Sequence, residues 1–327
     1  MYNGVINIYK EPGYTSHDVV AKLRGITKQK KIGHTGTLDP DAEGVLPVCM
    51  GAATRICDML TDEVKEYEAV VRLGVVTDTQ DMSGIVLEEH RDRADALTEE
   101  VVAGAVMNFV GEIEQIPPMY SAIKQNGKKL YELARQGIEV KRKPRCITIH
   151  EIEILNMDLP ELTMRVRCSK GTYIRTLCHD IGNKLGCGAA MKHLTRTQVG
   201  GFRVEDAVKI DRIEQLEHDG SIDEILVSLP EVFSDLQTGV VNASGAKKAE
   251  NGNMLTVSDI RVLTGLNHHD GLHNVNALNC DSDNRNNKLV LSDNEEIKVM
   301  REDGFFYGIY RYGVKDGILR PVKMFLC

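Results

Sequence analysis

The sequence predicts an α+β protein in two parts, a larger mixed part over residues 1–240 and a small β domain over 241–327. Three observations carry that expectation. A length of 327 residues exceeds the usual size of one domain. In the first part, runs with strand-type alternation follow and precede runs with helix-type spacing. After about residue 240 the pattern changes to short strand signals.

In chain order, Val5-Ile6-Asn7-Ile8 reads as a strand. Thr15-Ser16-His17-Asp18 then gives a capping signal, and Val19, Val20, Leu23 and Ile26 follow at helical spacing. Tyr67 to Val76 reads as one β-rich run ended by Thr77-Asp78-Thr79. Thr98 opens a further helix with Val101, Val102, Ala105, Val106 and Phe109 inward. Leu162 to Cys168 alternates apolar with polar, a half-buried strand with Arg165 and Arg167 on its other face. Ile174, Leu177, Cys178, Ile181 and Leu185 define the next helix, closed by Gly186. Tyr173 and Arg175 therefore sit at a strand-to-helix junction. In the last part, Phe305 to Tyr312 is a strand and Asp316-Gly317 the turn of a hairpin. Asn267 to Asn287 is rich in Asn, Asp and His and poor in apolar residues, which predicts a loose surface insertion. His268, His269, Asp270 and His273 within it have no second ligand motif nearby, so a solvated loop is a better reading than a metal site.

A hydrophobic content of 42% allows a sizeable core. No apolar run is long enough to span a bilayer and no signal-peptide pattern opens the chain, so a cytoplasmic location is expected. The eight cysteines are scattered without a C-x-x-C pair and read as reduced, mostly packed thiols. The net charge of −8 argues against indiscriminate coating of nucleic acid, yet the sign of charge is a local property. Lys124, Lys128, Lys129, Arg135, Lys141, Arg142, Lys143 and Arg145 face only two acids, Glu132 and Glu139, in the same segment. Lys22, Arg24, Lys28, Lys30 and Lys31 form a second cluster without any acid. Two such clusters point to a polyanionic substrate, although either one on its own is equally compatible with a solvated face.

The second cluster runs into Gly33-His34-Thr35-Gly36-Thr37-Leu38-Asp39-Pro40-Asp41-Ala42-Glu43-Gly44-Val45-Leu46-Pro47. Gly33, Gly36 and Gly44 permit dihedrals closed to other residues, and Pro40 biases Asp39 toward extended backbone. One carboxylate is thus held in a constrained loop. The chain carries neither a Walker motif nor a dinucleotide fingerprint, which removes nucleotide-dependent transfer and hydride chemistry from the expected classes.

This loop resembles the catalytic motif of the TruB family of tRNA pseudouridine synthases. Further segments resemble that family in order: Lys10-Glu11-Pro12-Gly13; Lys65-Glu66-Tyr67 with Arg72-Leu73-Gly74 through Asp81; Gln115 to Ala122 followed by Gly127-Lys128-Lys129-Leu130-Tyr131; and Cys168 to Arg175. The resemblance implies a pseudouridine synthase fold, a mixed and mainly antiparallel sheet flanked by helices, followed by a small PUA-like β domain. It implies isomerisation of uridine 55 in the tRNA T arm by base flipping, without metal or cofactor. Asp39 would be the nucleophile, Arg175 its ion-pair partner, and Tyr67 the ring against the flipped uracil with its hydroxyl near C5. Tyr173 and Leu194 would complete the pocket, His34 would fill the space the nucleotide leaves, and Lys10 and Asp81 would support the site. The basic segment 124–145 would grip RNA. The resemblance further implies a monomer that requires no protein partner. Two rival readings remain at this stage, a guide-RNA-dependent enzyme acting on ribosomal RNA and a tRNA-folding chaperone whose catalysis is incidental. The chain lacks the N-terminal extension of the first, and the joint presence of Asp39, Arg175 and Tyr67 favours an enzyme over the second.

Overall fold

The computed structural model describes residues 1–264 and 291–326, so the polar insertion with His268, His269, Asp270 and His273 lies outside the described residues. Two compact units emerge, one of Met1–Tyr2 with Ile6–Leu226 and one of Asn3–Val5 with Val227 onward. The strand Gln237–Val241, which straddles the boundary expected at 240, lies wholly within the second unit's sheet.

The first unit is built on strands β1 (Gly4–Lys10), β2 (Ile32–His34), β3 (Glu43–Met50), β4 (Lys65–Leu73), β5 (Gly111–Gln115), β6 (Arg145–Asp158), β7 (Glu161–Cys168) and β8 (Ala189–Val199). They neighbour one another in the order β1-β3-β8-β4-β7-β6-β5, with β2 on β3. The β8–β3 pair is parallel; the β2–β3, β8–β4, β4–β7, β7–β6 and β6–β5 pairs are antiparallel. On β4 the alternation is complete: Tyr67, Ala69, Val71 and Leu73 are buried while Glu66 and Glu68 are not. The β7 alternation matches expectation, with Leu162, Met164, Val166 and Cys168 inward and Arg165 paired to Glu68 and Glu153 on the other face.

Helices α1 (Ser16–Thr27), α2 (Glu99–Met107) and α3 (Ile174–Leu185) supply apolar faces. Thr15 and Asp18 form a reciprocal capping box on α1, and Gly186 closes α3 in the left-handed conformation, both as the sequence indicates. The main core joins α3 residues Ile174, Leu177, Cys178 and Ile181 and α2 residues Val102 and Val106 to the inner face of β4, β7 and β8. Three expectations need correction. Val101 is 53% exposed, because a position one residue before Val102 points about 100° away from the stripe that reaches the core. Phe109 lies beyond the end of α2, although it packs against the main core as expected. The run Tyr67 to Val76 is divided by Gly74, whose φ of +83° ends β4 at Leu73 before a separate strand Val75–Thr77.

The second unit holds a sheet in the order Leu255–Thr256, Ile318–Met324, Phe306–Gly313, Glu296–Met300, Gln237–Val241 and Ile260–Thr264. Its hairpin turns at Asp316-Gly317, with strand pairing resuming at Gly313 opposite Ile318, so the loop is two residues longer than a minimal Asp-Gly turn. Helix Ala243–Glu250 is capped by Asn242, which accepts from the Gly245 amide at 2.9 Å. No helix among the described residues is long and apolar enough to cross a membrane.

Candidate active site

The Asp39 loop leaves β2 and returns as β3, and it is fastened at almost every turn. Leu38 and Ala42, on either side of Asp39, are buried in the main core. The Leu38 amide donates to Ser16 Oγ at 2.9 Å and the Gly13 amide to the Pro40 carbonyl at 2.9 Å. Lys10, fully buried, donates its ammonium to the carbonyls of Glu11, Pro40 and Ala42. Burial pushes the Lys10 pKa down to about 8, with Asp39 and Asp41 opposing that shift. Lys10 thus spends its donors on the chain itself. Gly36 and Gly44 have φ of +127° and +102°, as loop punctuation requires. Gly33 does not have a positive φ; a Cβ there would lie 3.2 Å from Cys57 Sγ, a tight contact that the sulfur would have to yield to by a few tenths of an ångström.

Arg175, in the first turn of α3, ties the loop to two other segments. Its Nη2 donates to Asp39 Oδ1 at 3.0 Å and to the Tyr120 carbonyl at 2.9 Å, and its Nη1 to Asp81 Oδ2 at 3.3 Å. The Arg175 side chain is 8% exposed and those of Asp39 and Asp81 are 36% and 15% exposed. Burial raises the Asp39 carboxyl above its ordinary value, and Arg175 and Lys10 pull it back. Asp81 is itself oriented: its Oδ1 accepts from Thr79 Oγ1 at 2.7 Å and from the Ser83 amide at 3.1 Å. Its carboxylate is therefore directed at Arg175 and not at open space.

Tyr67 and Leu194 are buried in one core from β4 and β8, Leu194 opposite Ala69, and Tyr173 precedes α3. Gln115 clamps the Tyr173 backbone, donating from Nε2 to its carbonyl at 3.0 Å and accepting from its amide at 2.8 Å. Burial raises the phenol pKa of both Tyr67 and Tyr173. His34, half-buried, accepts the Gly36 amide on Nδ1 at 3.3 Å and meets the His17 ring edge-on at 5.2 Å between centroids. Burial, then His17 and Arg196, holds the His34 imidazole below its usual pKa, so the neutral ring carries its proton on Nε2. Asp39, Arg175, Asp81, Tyr67, Tyr173, Leu194 and His34 thus converge around one loop.

Arg196 on β8 is the residue the sequence reading missed. It is 1% exposed, donates from Nε to the Val45 carbonyl at 2.7 Å and from Nη2 to the Gly36 carbonyl at 3.4 Å, and stands opposite Tyr67 across the β8–β4 pair. The available signal was alternation: Arg196 falls two residues after Leu194, on the same face of the strand.

The basic segment is not uniformly free. Lys129 stacks on the Tyr131 ring, and Arg142 is held by the Pro117 carbonyl at 3.3 Å and Glu139 at 3.1 Å. Arg135 faces the same Tyr131 ring. Lys124, Lys128, Lys141, Lys143 and Arg145 are exposed. In the second cluster, Arg24 is spent on the Lys30 and Ile32 carbonyls.

At the centre of the site a carboxylate is gripped by a buried arginine, and the charge of Asp39 reaches both the buried Tyr67 and the half-buried Tyr173. A family model described as TruB family pseudouridylate synthase (N terminal domain) matches residues 24–174, and one described as tRNA pseudouridylate synthase B C-terminal domain matches residues 175–236. The chain belongs to the TruB family of pseudouridylate synthases. Among its relatives is the tRNA pseudouridine synthase B of Lachnoclostridium phytofermentans, 48% identical over 332 residues that cover 99% of this chain and 100% of the relative. That of Clostridium tetani is 46% identical, covering 82% of this chain and 90% of its own. A crystal structure of a Cbf5-Nop10-Gar1 complex is similar with a TM-score of 0.69 at 26% identity, covering 99% of this chain and 85% of that one.

Proposed function

We propose that this chain isomerises uridine 55 in the T arm of tRNA to pseudouridine. The observation that carries the reading is the Asp39–Arg175–Asp81 ion cluster, on a loop whose Leu38 and Ala42 share one buried core with Tyr67 and Leu194. The reaction breaks the bond from ribose C1′ to uracil N1, turns the base, joins C1′ to C5, moves the C5 proton off carbon and returns a proton to N1. It needs a charged carboxylate at the ribose, a flat pocket for the detached base and a proton acceptor at C5.

Asp39 is the nucleophile, and Arg175 keeps it ionised against the pull of burial. Tyr67 lies against the flipped base with its hydroxyl at C5, Tyr173 and Leu194 bound the pocket, and His34 takes the space the nucleotide vacates. Lys10 fixes the loop and Asp81 fixes Arg175. Lys124, Lys128, Lys141, Lys143 and Arg145 meet phosphates of the T arm. The enzyme acts as a monomer on tRNA, without a protein partner or cofactor. The relatives named tRNA pseudouridine synthase B, at nearly half identity over most of the chain, support this reading over a guide-RNA-dependent one. The test is release of tritium from C5-labelled uridine in unmodified tRNA, with no guide RNA added, followed by mapping of the product. No release, or product elsewhere, overturns it. Release that survives loss of Asp39 overturns the assignment of the nucleophile.

A further inference from the structure

We propose that Arg196 is a positioning residue for the isomerisation, its buried guanidinium holding the Tyr67 hydroxyl and both flanks of the Asp39 loop as one unit. This deepens the reading above and rests on it. Three features carry it. Arg196 stands directly opposite Tyr67 across the β8–β4 pair and opposite Gly44 across the β8–β3 pair. Its Nε and Nη2 reach the carbonyls of Val45 and Gly36, which bracket the segment that carries Asp39. Arg196 and Tyr67 are both buried on the same face of the sheet, and the guanidinium draws the Tyr67 phenol toward ionisation.

The fit on the loop side is close. A Cβ on Gly44 would sit 2.2 Å from the Arg196 carbonyl oxygen, so the glycine is there because the β8 backbone at Arg196 is.

The electrostatics give the arrangement its consequence. A guanidinium withdrawn from water normally has a carboxylate beside it. Among the described residues no carboxylate forms an ion pair with Arg196, and the groups that feel its charge are Lys10 on β1, His34 on β2 and Lys65 and Tyr67 on β4. Only Tyr67 can become an anion. Tyr67 is faced in turn by Cys168 on β7 and Asp39 on the loop, both of which oppose its ionisation, and by burial, which opposes it most. Arg196 is the group that opposes them. A donor fixed against the phenol oxygen leaves its proton to point away from Arg196, and it stabilises negative charge that develops on that oxygen when a proton is relayed.

The test uses the full chain with unmodified tRNA. Arg196→Lys keeps the charge and loses the fork. The single-turnover rate is expected to fall about tenfold or more, with tRNA affinity within about threefold. In a Tyr67→Phe background the same substitution should cost clearly less than in the wild type, because the part of its effect that runs through the hydroxyl is gone and only the part that runs through the Val45 and Gly36 carbonyls is left. Ultraviolet difference titration of the phenol, wild type minus Tyr67→Phe, should move upward in Arg196→Lys. Multiplicative rate losses in the double variant, or an unmoved titration, overturn the proposal and leave Arg196 a purely structural residue. Should Arg196→Lys fail to fold, Tyr67→Phe serves alone: it removes the hydroxyl facing a buried cation and is expected to lower Tm, and an unchanged or higher Tm overturns the pairing. The titration and the melting curve need no RNA, so they report on the pair even if tritium release fails and the functional reading falls.

Discussion

Replacing Arg175 by lysine removes a fork and leaves a point. The guanidinium meets Asp39 at 3.0 Å through one nitrogen and Asp81 at 3.3 Å through the other, while also donating to the Tyr120 carbonyl. An ammonium on a four-carbon stem serves one carboxylate at full strength. The other then keeps its charge in a half-buried setting without its charge-assisted hydrogen bond, which is worth about 1.5–3 kcal/mol by itself. At about 1.4 kcal/mol per decade, that is a fall of roughly 10- to 150-fold in the chemical step if the loss is felt at Asp39. Because the Arg175 side chain is only 8% exposed, RNA phosphates reach little of it and tRNA affinity should hold within about threefold. The assay is single-turnover conversion of tRNA at saturating enzyme, with affinity measured on the same preparation. The acid limb adds a second readout. Burial already holds the Asp39 carboxyl above its ordinary value and Arg175 lowers it, so a weakened partner lets it rise further. Activity of the variant should therefore be lost at a higher pH than in the wild type as pH falls. A single-turnover rate near wild type, or a collapse of affinity at an unchanged rate, would refute the reasoning.

Asp39→Asn should bind tRNA and release no C5 tritium, since shape survives and charge does not. With the carboxyl raised by burial, folding favours its protonated form, so the cost of the charge is present at neutral pH and vanishes as pH falls through the folded-state pKa. The variant should melt no lower than wild type at neutral pH and lose any advantage in acid, which differential scanning across pH checks. Neutralising Lys124, Lys128, Lys141 and Lys143 should weaken binding to all tRNAs and lower the salt slope by about one unit for each phosphate no longer engaged, with the rate from saturated complex much less changed. An unaltered slope would make the segment a solvated face. Gly44→Ala meets both a φ of +102° and the Arg196 carbonyl at 2.2 Å, so it should cost about 2 kcal/mol or more in stability. Wild-type urea midpoints for this variant would count against the close packing of the loop on β8.

The parts of this molecule that are legible in sequence are those decided locally. The capping box at Thr15 and Asp18, the Gly186 cap and the β7 alternation depend on residues within a turn or two of one another. The Asp39 loop is legible because Gly36 and Gly44 need backbone that other residues reach only with strain. Gly33 lacks that backbone, and its nearest neighbour is the sulfur of Cys57 more than twenty residues on, which no local rule reveals. Lys10 reads only as a support of the site until its carbonyl partners show that it acts on the loop backbone, and Arg142 and Lys129 read as RNA-gripping cations until Glu139, Pro117 and Tyr131 are placed beside them. Arg196 was hidden because charge on a strand is usually outside, and only its pairing with Tyr67 and Gly44 turns it inward.

The register between β8 and its two neighbours is what assembles the site. The parallel pairing with β3 sets Arg196 against Gly44 at the end of the catalytic loop, and the antiparallel pairing with β4 sets it against Tyr67. Side chains alternate faces with a period of two, so a slip of one residue would bring Thr195 or Thr197 inward and send Arg196 to the outer face of the sheet. There it would meet Glu66 and Glu68, which already satisfy Arg165 and Thr197. The cost would fall on both sides: Leu194 would leave the core beside Tyr67, and Gly36 and Val45 would lose the donor that joins them. Core packing and the placement of the buried charge thus select the same register. The fold can hold an arginine without a carboxylate beside Tyr67 because any alternative that exposes it also exposes the apolar residues of the same strand.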